Sequence, residues 1–415
     1  MTRRDWLIVA LFAVALLPRL FVLSFGADSL QYWEYETLAN NIASGNGYVI
    51  SRFGRDVFAF GDGNLYSFLA GAFYALFGHH PLALAAVQAC LASLAIPVLY
   101  VIAERPFGMA RAALGATLAA FHPGLLVYTL KLHPLGLDVL LLSLMVCWTL
   151  RRGWSRRASL LAALTLGLSL MSRPTFFVAG MAALFVRWLT GRMHWRYVAL
   201  TIAVALIVPL PWIARNWLVL GEPILSSTSF EDVWKGNNQL ASGSGFISPS
   251  VTPLDAAPPS LRQQIFAADE LQANRIFAQE TFDFIQQQPR AFVGLVVRKF
   301  FYFWWLPEQA GLLYPADWLA RYQVYALVVD LFAALGAIGI VRNGTSEERD
   351  LLTVVATVAV ALAAVHALAY VDGRHRWGIE PLLLLVAARG MFTAATWARG
   401  QLGVQSGVLR RLSAR

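Results

Sequence analysis

The sequence is short of charge, of lysine and of cysteine, and each shortage excludes something. Only 14% of its 415 residues are charged, while 58% are apolar and the mean hydropathy is +0.57. Soluble domains carry about a quarter charged residues, so a soluble globular protein is excluded and an integral membrane protein is predicted. The lysines are Lys131, Lys235 and Lys299, and every other basic residue is arginine. Cys90 and Cys147 both fall inside apolar runs, which excludes a disulfide framework. No G-x-x-x-x-G-K-[ST], G-x-G-x-x-G or H-E-x-x-H occurs, and the histidines have no metal-ligand spacing. No cofactor and no metal are therefore expected. The missing Asp-x-Asp removes the device that holds a metal–nucleotide-sugar complex. A nucleotide-sugar donor is accordingly not expected.

What is present is a series of apolar runs, near 6–25, 84–103, 110–129, 135–150, 158–172, 174–190, 197–214, 322–341, 351–370 and 378–397. Several lie at the short end of the ~17–25 residues that cross a bilayer. The first is long enough to span and lacks a small-residue cleavage site, so it reads as a signal anchor. Arginines mark alternate junctions: Arg3 and Arg4, Arg105 and Arg111, Arg151 to Arg157, Arg187 to Arg196, Arg342 and Arg349, and the tail from Arg399. The positive-inside rule then puts both termini in the cytoplasm and predicts about ten spans. The net charge of +9 sits at these span ends, so no nucleic-acid partner is expected.

The predicted organisation is a first span over 1–25 and a first extracytoplasmic loop over 26–83. A bundle over 84–214 follows, then a long extracytoplasmic loop with helices over 215–321. C-terminal spans occupy 322–397 and a basic cytoplasmic tail 398–415. The fold class is all-α and membrane-integral. Leu65–Gly78 is too short to cross and reads as an interfacial helix. The segment 260–306 reads as helical, ending in the aromatic pair Trp304-Trp305. The bilayer itself is the lipid partner.

Asp28 to Tyr48 (DSLQYWEYETLANNIASGNGY) is polar, aromatic and acidic where its surroundings are apolar. Tyr32, Tyr35, Leu38, Ala39 and Ile42 fall on one face at helical spacing, with Gly45 as terminator. Asp28 would open this helix. Asp-x-x-Gln at a helix start is a capping-box pattern, so Asp28 and Gln31 can serve as a cap. The alternative is a carboxylate at the membrane boundary that takes a proton from an incoming hydroxyl. Glu34 and Glu36 are solvated charges by default.

Other junctions on the same side are cationic: Lys131 and His133, then Arg173 before Pro174, then Arg215-Asn216. Lys235 with Asn237 and Asn238 follows, and finally Arg374, His375 and Arg376 ahead of Glu380. Single arginines at span ends usually reach to the interface. Several converging on one side can hold a phosphate or pyrophosphate. The dense group at 374–376 is unexplained by the positive-inside rule, which makes it a binding candidate. A transporter would instead place ionisable groups near the midplane, where Asp138, Asp330 and His366 are the few available.

The order of these signals resembles the GT-C superfamily of polytopic glycosyltransferases, in particular its bacterial protein O-mannosyltransferase and aminoarabinose-transferase type. The matching segments are Asp28-Ser29 through Gly47-Tyr48, Leu65-Tyr66 through Phe77-Gly78, Arg173-Pro174 and Pro211-Trp212 with Arg215-Asn216. Trp234 with Gly236-Asn237-Asn238, Pro289 with Lys299 and Trp304, and Arg374 with Arg376 and Glu380-Pro381, complete the series. The resemblance implies a sugar donor on a polyprenyl phosphate and transfer outside the cytoplasmic membrane of a bacterium. It also implies a first-loop Asp as general base in an inverting displacement. Counted back from Leu38-Ala39, that Asp position falls on Gln31. Asp28 fits with one helical turn inserted, and Glu34 is the other carboxylate in reach. The acceptor is a hydroxyl of a glycan, lipid or protein. The alternatives are a surface-glycan ligase or polymerase, which would take a pyrophosphate-linked glycan, and a lipid-linked solute transporter or flippase.

Overall fold

The computed structural model describes residues 2–61, 64–151, 153–248, 251–306 and 316–412. Asp62, Arg152 and the side chains of the tail arginines Arg399, Arg410, Arg411 and Arg415 lie outside the described residues. Every one of the ten apolar runs is a helix or a helix pair. The chain is a multi-pass, all-α membrane protein.

Among the described residues six helices are long and apolar enough to cross a membrane unaided: Arg3–Ser29, Pro81–Phe107, Trp195–Leu220, Asp317–Asn343, Ser346–Leu368 and Glu380–Ala398. A seventh span results if Met109–Ala120 and Pro123–Leu130, bent by 44°, count as one. Leu135–Thr149 and Pro174–Leu189 are shorter apolar helices. The expected ten is thus matched in helices but not in full-length spans. Proline accounts for the breaks, because it removes an N–H and its ring collides with the carbonyl four residues back. Pro97 faces the carbonyl of Ser93, where the first half of Pro81–Phe107 ends. Pro209 does the same to Ala205, the last residue of Trp195–Ala205.

Side chains sort the loops onto two faces. At one face Arg4 pairs with Glu104 (2.8 Å), Arg105 with Glu347 (3.0 Å), and Arg187 and Arg192 with Asp350 (both 3.1 Å). These junctions carry the arginines whose alternation the sequence displayed. The opposite face carries everything else: the first loop, the 129–134 and 173 junctions, the long loop after residue 220 and the 371–377 turn. Among its described residues the long segment holds four helices, Ser229–Lys235, Pro259–Ala267, Glu270–Gln287 and Pro289–Trp304.

The first loop differs from its expected form. Its helix is Glu34–Ala43, with Trp33 rather than Asp28 at the N-cap position. Ala27–Ser29 makes one 3-10 turn with no side-chain cap, so the Asp28–Gln31 box does not form. Gln31 instead joins Leu130 and Leu132: its N–H donates to the Leu130 carbonyl (2.8 Å) and its carbonyl accepts from the Leu132 N–H (3.0 Å). This cross-link between the first loop and the 130–132 strand-like segment overrides the local capping signal. Beyond the helix, Ile50–Arg52 and Arg55–Val57 form an antiparallel hairpin. Asn64–Phe77 is the helix expected at 65–78, and Tyr66, Ala70 and Tyr74 pack it on Tyr35 and Ala39.

The helices Ala316–Asn343 and Glu380–Leu412 meet at backbone contact. A Cβ added to Gly336 would lie 2.2 Å from the Val386 carbonyl oxygen. Small residues give such close crossings in membranes, where lipid offers no hydrophobic drive.

Candidate functional site

A cavity of about 150 Å³ opens at the loop-bearing face. Five separate segments build its walls. Glu34 is the first residue of its helix and Arg52 the last of the first hairpin strand. Arg173 sits between two helices in an extended conformation that the following Pro174 favours. Glu231, Asp232 and Lys235 come from one short helix, Ser229–Lys235. His366, Tyr370, Arg374 and His375 come from the end of Ser346–Leu368 and the turn after it.

The cavity has a cationic side. Arg173 Nε donates to Asp138 Oδ2 (2.8 Å), and Ser172 Oγ donates to the other carboxylate oxygen (2.5 Å). Asp138 thereby orients the guanidinium from below. Arg374 donates to the Tyr370 hydroxyl (3.2 Å), pairs with Asp372 (3.6 Å) and lies over the Trp33 ring (5.2 Å). Burial opposes its charge, but Tyr370 and Asp372 prevail and raise its pKa well above the usual value. Next to it, His375 stacks on His366 with ring centroids 3.9 Å apart. Burial, then the neighbouring His366 and Arg374, depress the His375 pKa well below the usual value, so its ring is neutral.

The other side is mixed. Arg52 reaches Glu231 through two bonds, at 2.9 and 3.1 Å. Lys235 pairs with Glu231 (3.2 Å) and Asp232 (3.0 Å), and lies over the Tyr370 ring (5.8 Å). Burial opposes ionisation of Glu231, but Lys235 and Arg52 override it and hold its carboxyl at about 2. The same acids raise Lys235 despite its burial. Glu34 is half-buried beside this network and makes no described hydrogen bond or ion pair. Among the described residues no three His, Cys, Asp or Glu are grouped to hold a metal ion.

Several sequence candidates lie elsewhere. Asp28 is exposed in its 3-10 turn and does not line the cavity. Lys131 and His133 stand behind it. The Lys131 ammonium lies over Tyr128 (5.0 Å) and Trp33 (5.8 Å), and burial together with Arg374 lowers it to about 8. The His133 ring is boxed by Trp33, Tyr35 and Tyr128 at 4.9 to 5.3 Å. Arg215 donates to the Phe58 carbonyl and to the Tyr48 carbonyl (3.0 Å), so it ties the first loop to the Leu210–Leu220 helix. Asn237 and Asn238 are buried and hold backbone: Asn237 donates to the Leu368 carbonyl (2.8 Å) and Asn238 to that of Trp234 (2.8 Å).

Arg376 points into the bundle, away from Arg374. It pairs with Glu380 (2.6 Å) and Asp330 (2.8 Å) and donates to the Trp304 carbonyl. Glu380 also pairs with His122 and accepts from the Tyr322 hydroxyl (2.6 Å). Removing one member strands the others in a buried site, at a cost of about 3–5 kcal/mol. Arg376→Met should therefore lower the unfolding midpoint of detergent-purified protein far more than Arg374→Met, as read by thermal denaturation.

A family model described as dolichyl-phosphate-mannose-protein mannosyltransferase matches residues 63–214. The archaeal oligosaccharyltransferase AglB from Archaeoglobus fulgidus, solved with an inhibitory peptide and a dolichol-phosphate, is similar at a TM-score of 0.54 and 12% identity. The match covers 98% of this chain and 52% of that one. The chain has the GT-C fold. The Archaeoglobus fulgidus oligosaccharyltransferase in its apo form gives a TM-score of 0.50 at 13% identity, over 97% and 52% of the two chains. ArnT from Cupriavidus metallidurans, bound to undecaprenyl phosphate, is similar over 94% of this chain and 79% of that chain, at 16% identity and a TM-score of 0.46. This chain spans about half the length of the archaeal proteins. No curated protein matches it by sequence.

Within this GT-C fold the sequence reading missed Arg52, Glu231, Asp232 and Tyr370. Glu231 and Lys235 are four apart on a helix, a spacing that brings opposite charges together and could have flagged both. Nothing in the sequence sets Arg52 apart from other surface arginines.

Proposed function

We propose that this protein is a membrane glycosyltransferase. It moves one sugar from a polyprenyl-phosphate donor to an acceptor hydroxyl, on the extracytoplasmic side of a bacterial cytoplasmic membrane. The observation that carries this reading is the convergence, in one cavity, of Arg173 and Arg374 with the carboxylate Glu34. The dolichol-phosphate bound by AglB and the family description over residues 63–214 support a lipid-phosphate donor.

In this scheme the acceptor hydroxyl oxygen attacks the anomeric carbon as its proton passes to Glu34. The carbon–oxygen bond to phosphate breaks, its electron pair leaves with the polyprenyl phosphate, and the anomeric configuration inverts. Arg374, with Arg173, offsets the charge that grows on the departing phosphate, where fixed donors act strongly because they need no reorganisation. The mixed wall of Arg52, Glu231, Asp232 and Lys235 supplies hydrogen-bonding groups for sugar hydroxyls. Glu34 replaces Asp28 as the proposed base because it lines the cavity and Asp28 does not.

The transporter reading loses its midplane candidates. Asp138 is held by Arg173, Asp330 by Arg376, and His366 by stacking on His375. The test is transfer of labelled sugar from a panel of polyprenyl-phosphate monosaccharides in membranes containing the protein. Transfer with inverted configuration supports the reading, and none from any donor rejects it.

Orientation follows from the arginine-bearing face being cytoplasmic. A cysteine at exposed Leu240 should react with a membrane-impermeant maleimide in spheroplasts, whereas one at Thr190 should react only after permeabilisation. The reverse pattern would put the cavity in the cytoplasm.

A further inference from the structure

Lys299 is fully buried on the helix Pro289–Trp304, and no described carboxylate pairs with it. Its ammonium donates to three oxygens: the Gly236 carbonyl (3.1 Å), Asn237 Oδ1 (2.7 Å) and the Ala369 carbonyl (2.9 Å). An ammonium has three donors and no acceptor, so the set is complete. These oxygens belong to two segments that lie far apart in sequence. Gly236 follows Lys235, and Ala369 precedes Tyr370 and Arg374. The segments touch so closely that a Cβ on Gly236 would come 1.8 Å from the Ala369 carbonyl oxygen. Asn237 adds a bond from its amide to the Leu368 carbonyl (2.8 Å).

Burying an ammonium among carbonyls is costly, and a well-packed apolar side chain of like volume often does as well or better for stability. Here the bonds are arranged to fix one thing. They set the distance between the Lys235 wall and the Tyr370–Arg374 wall of the cavity. We propose that Lys299 is a positioning residue of the donor site: it clamps the 236–237 turn to the 368–369 turn, so that Lys235, Tyr370 and Arg374 present one pre-set surface to the phosphate-linked sugar. This rests on the donor reading given above. It adds a residue that touches no substrate.

The experiment uses detergent-purified full-length wild type, Lys299→Met and Asn237→Ala. It is run at pH 6, below the value of about 7 to which burial pushes Lys299. Two readouts are taken: affinity for undecaprenyl phosphate by tryptophan fluorescence, and amide hydrogen exchange over 231–238 and 368–375. In folded Lys299→Met, affinity should fall on the order of tenfold, as small misplacements of binding groups allow, and both segments should exchange faster together. Asn237→Ala should shift both readouts the same way by less, and it carries the test if Lys299→Met does not fold. Exchange unchanged in both segments overturns the clamp, as does faster exchange with wild-type affinity. If wild type itself binds no undecaprenyl phosphate while exchange still rises in both segments, the donor reading has failed and the clamp has not. Arg374→Met separates the two further, because it should lose affinity with exchange over 231–238 unchanged.

Discussion

Glu34→Gln should cut sugar transfer by about 10²–10⁴-fold, the usual range for losing a positioned general base. Asp28→Asn should leave it within a few-fold. Both residues are in the first loop and either could be the acid that the sequence pattern requires. They differ in where the chain puts them. Asp28 is exposed in a short 3-10 turn that no side chain caps. Glu34 begins the next helix and faces the cavity that also holds Arg173 and Arg374. Gln keeps the size of Glu and its hydrogen-bonding reach but cannot accept the proton. The effect should therefore fall on kcat, with the apparent affinity for donor almost unchanged. Loss of transfer in Asp28→Asn with full activity in Glu34→Gln would reverse the assignment. Equal activity in both would remove the base from this loop altogether.

Arg374→Met should lower kcat/KM by about 10²–10³-fold, the range seen when one fixed donor to a developing anion is removed. It should also weaken binding of polyprenyl phosphate. Arg173 is the less informative target, although it also lines the cavity. Its partner Asp138 has a fully buried side chain, and Arg173→Met would leave that carboxylate without its cation. Lost activity there would mix chemistry with unfolding. Arg374 holds Asp372 at 3.6 Å only, and the Asp372 carboxylate also accepts from the Gly373 N–H at 2.6 Å, so the turn keeps a partner when the cation goes. Unchanged turnover by a folded Arg374→Met protein would detach the cationic side from the leaving group.

The membrane class, the helical fold and the two-faced distribution of loops were legible in the sequence, because each depends on composition and order alone. The helices were legible and the span count was not, since Pro123 bends one run and Leu135–Thr149, Arg156–Ser172 and Pro174–Leu189 come out short of a full span. The site was legible in part. Arg173, Lys235, Arg374 and His375 were named from their side of the membrane, and the structure brings all four to one cavity. Arg215, Asn237, Asn238 and Arg376 came from the same motifs and turned out to hold backbone or each other's helices. A motif fixes which residues recur together, but not which direction each side chain takes. The start of the first-loop helix failed for a related reason. Asp28 and Gln31 offer a local cap, and the pairing of Gln31 with residues 130–132, a hundred residues away, wins over it.

Arg374 and Arg376 are two residues apart on one five-residue helix, yet one faces the cavity and the other is sunk among Asp330, Glu380 and the Trp304 carbonyl. That short helix links the cavity to Asp330 and Glu380 on two long apolar helices and to the end of the loop helix Pro289–Trp304. On the proposed donor reading, a lipid phosphate drawn to Arg374 would bind the folded bundle through this helix. Ligand binding should thus raise the thermal midpoint of the whole bundle, growing with ligand concentration as mass action requires. By the same mass action, Arg376→Met should reduce that ligand-induced shift only as far as it weakens binding.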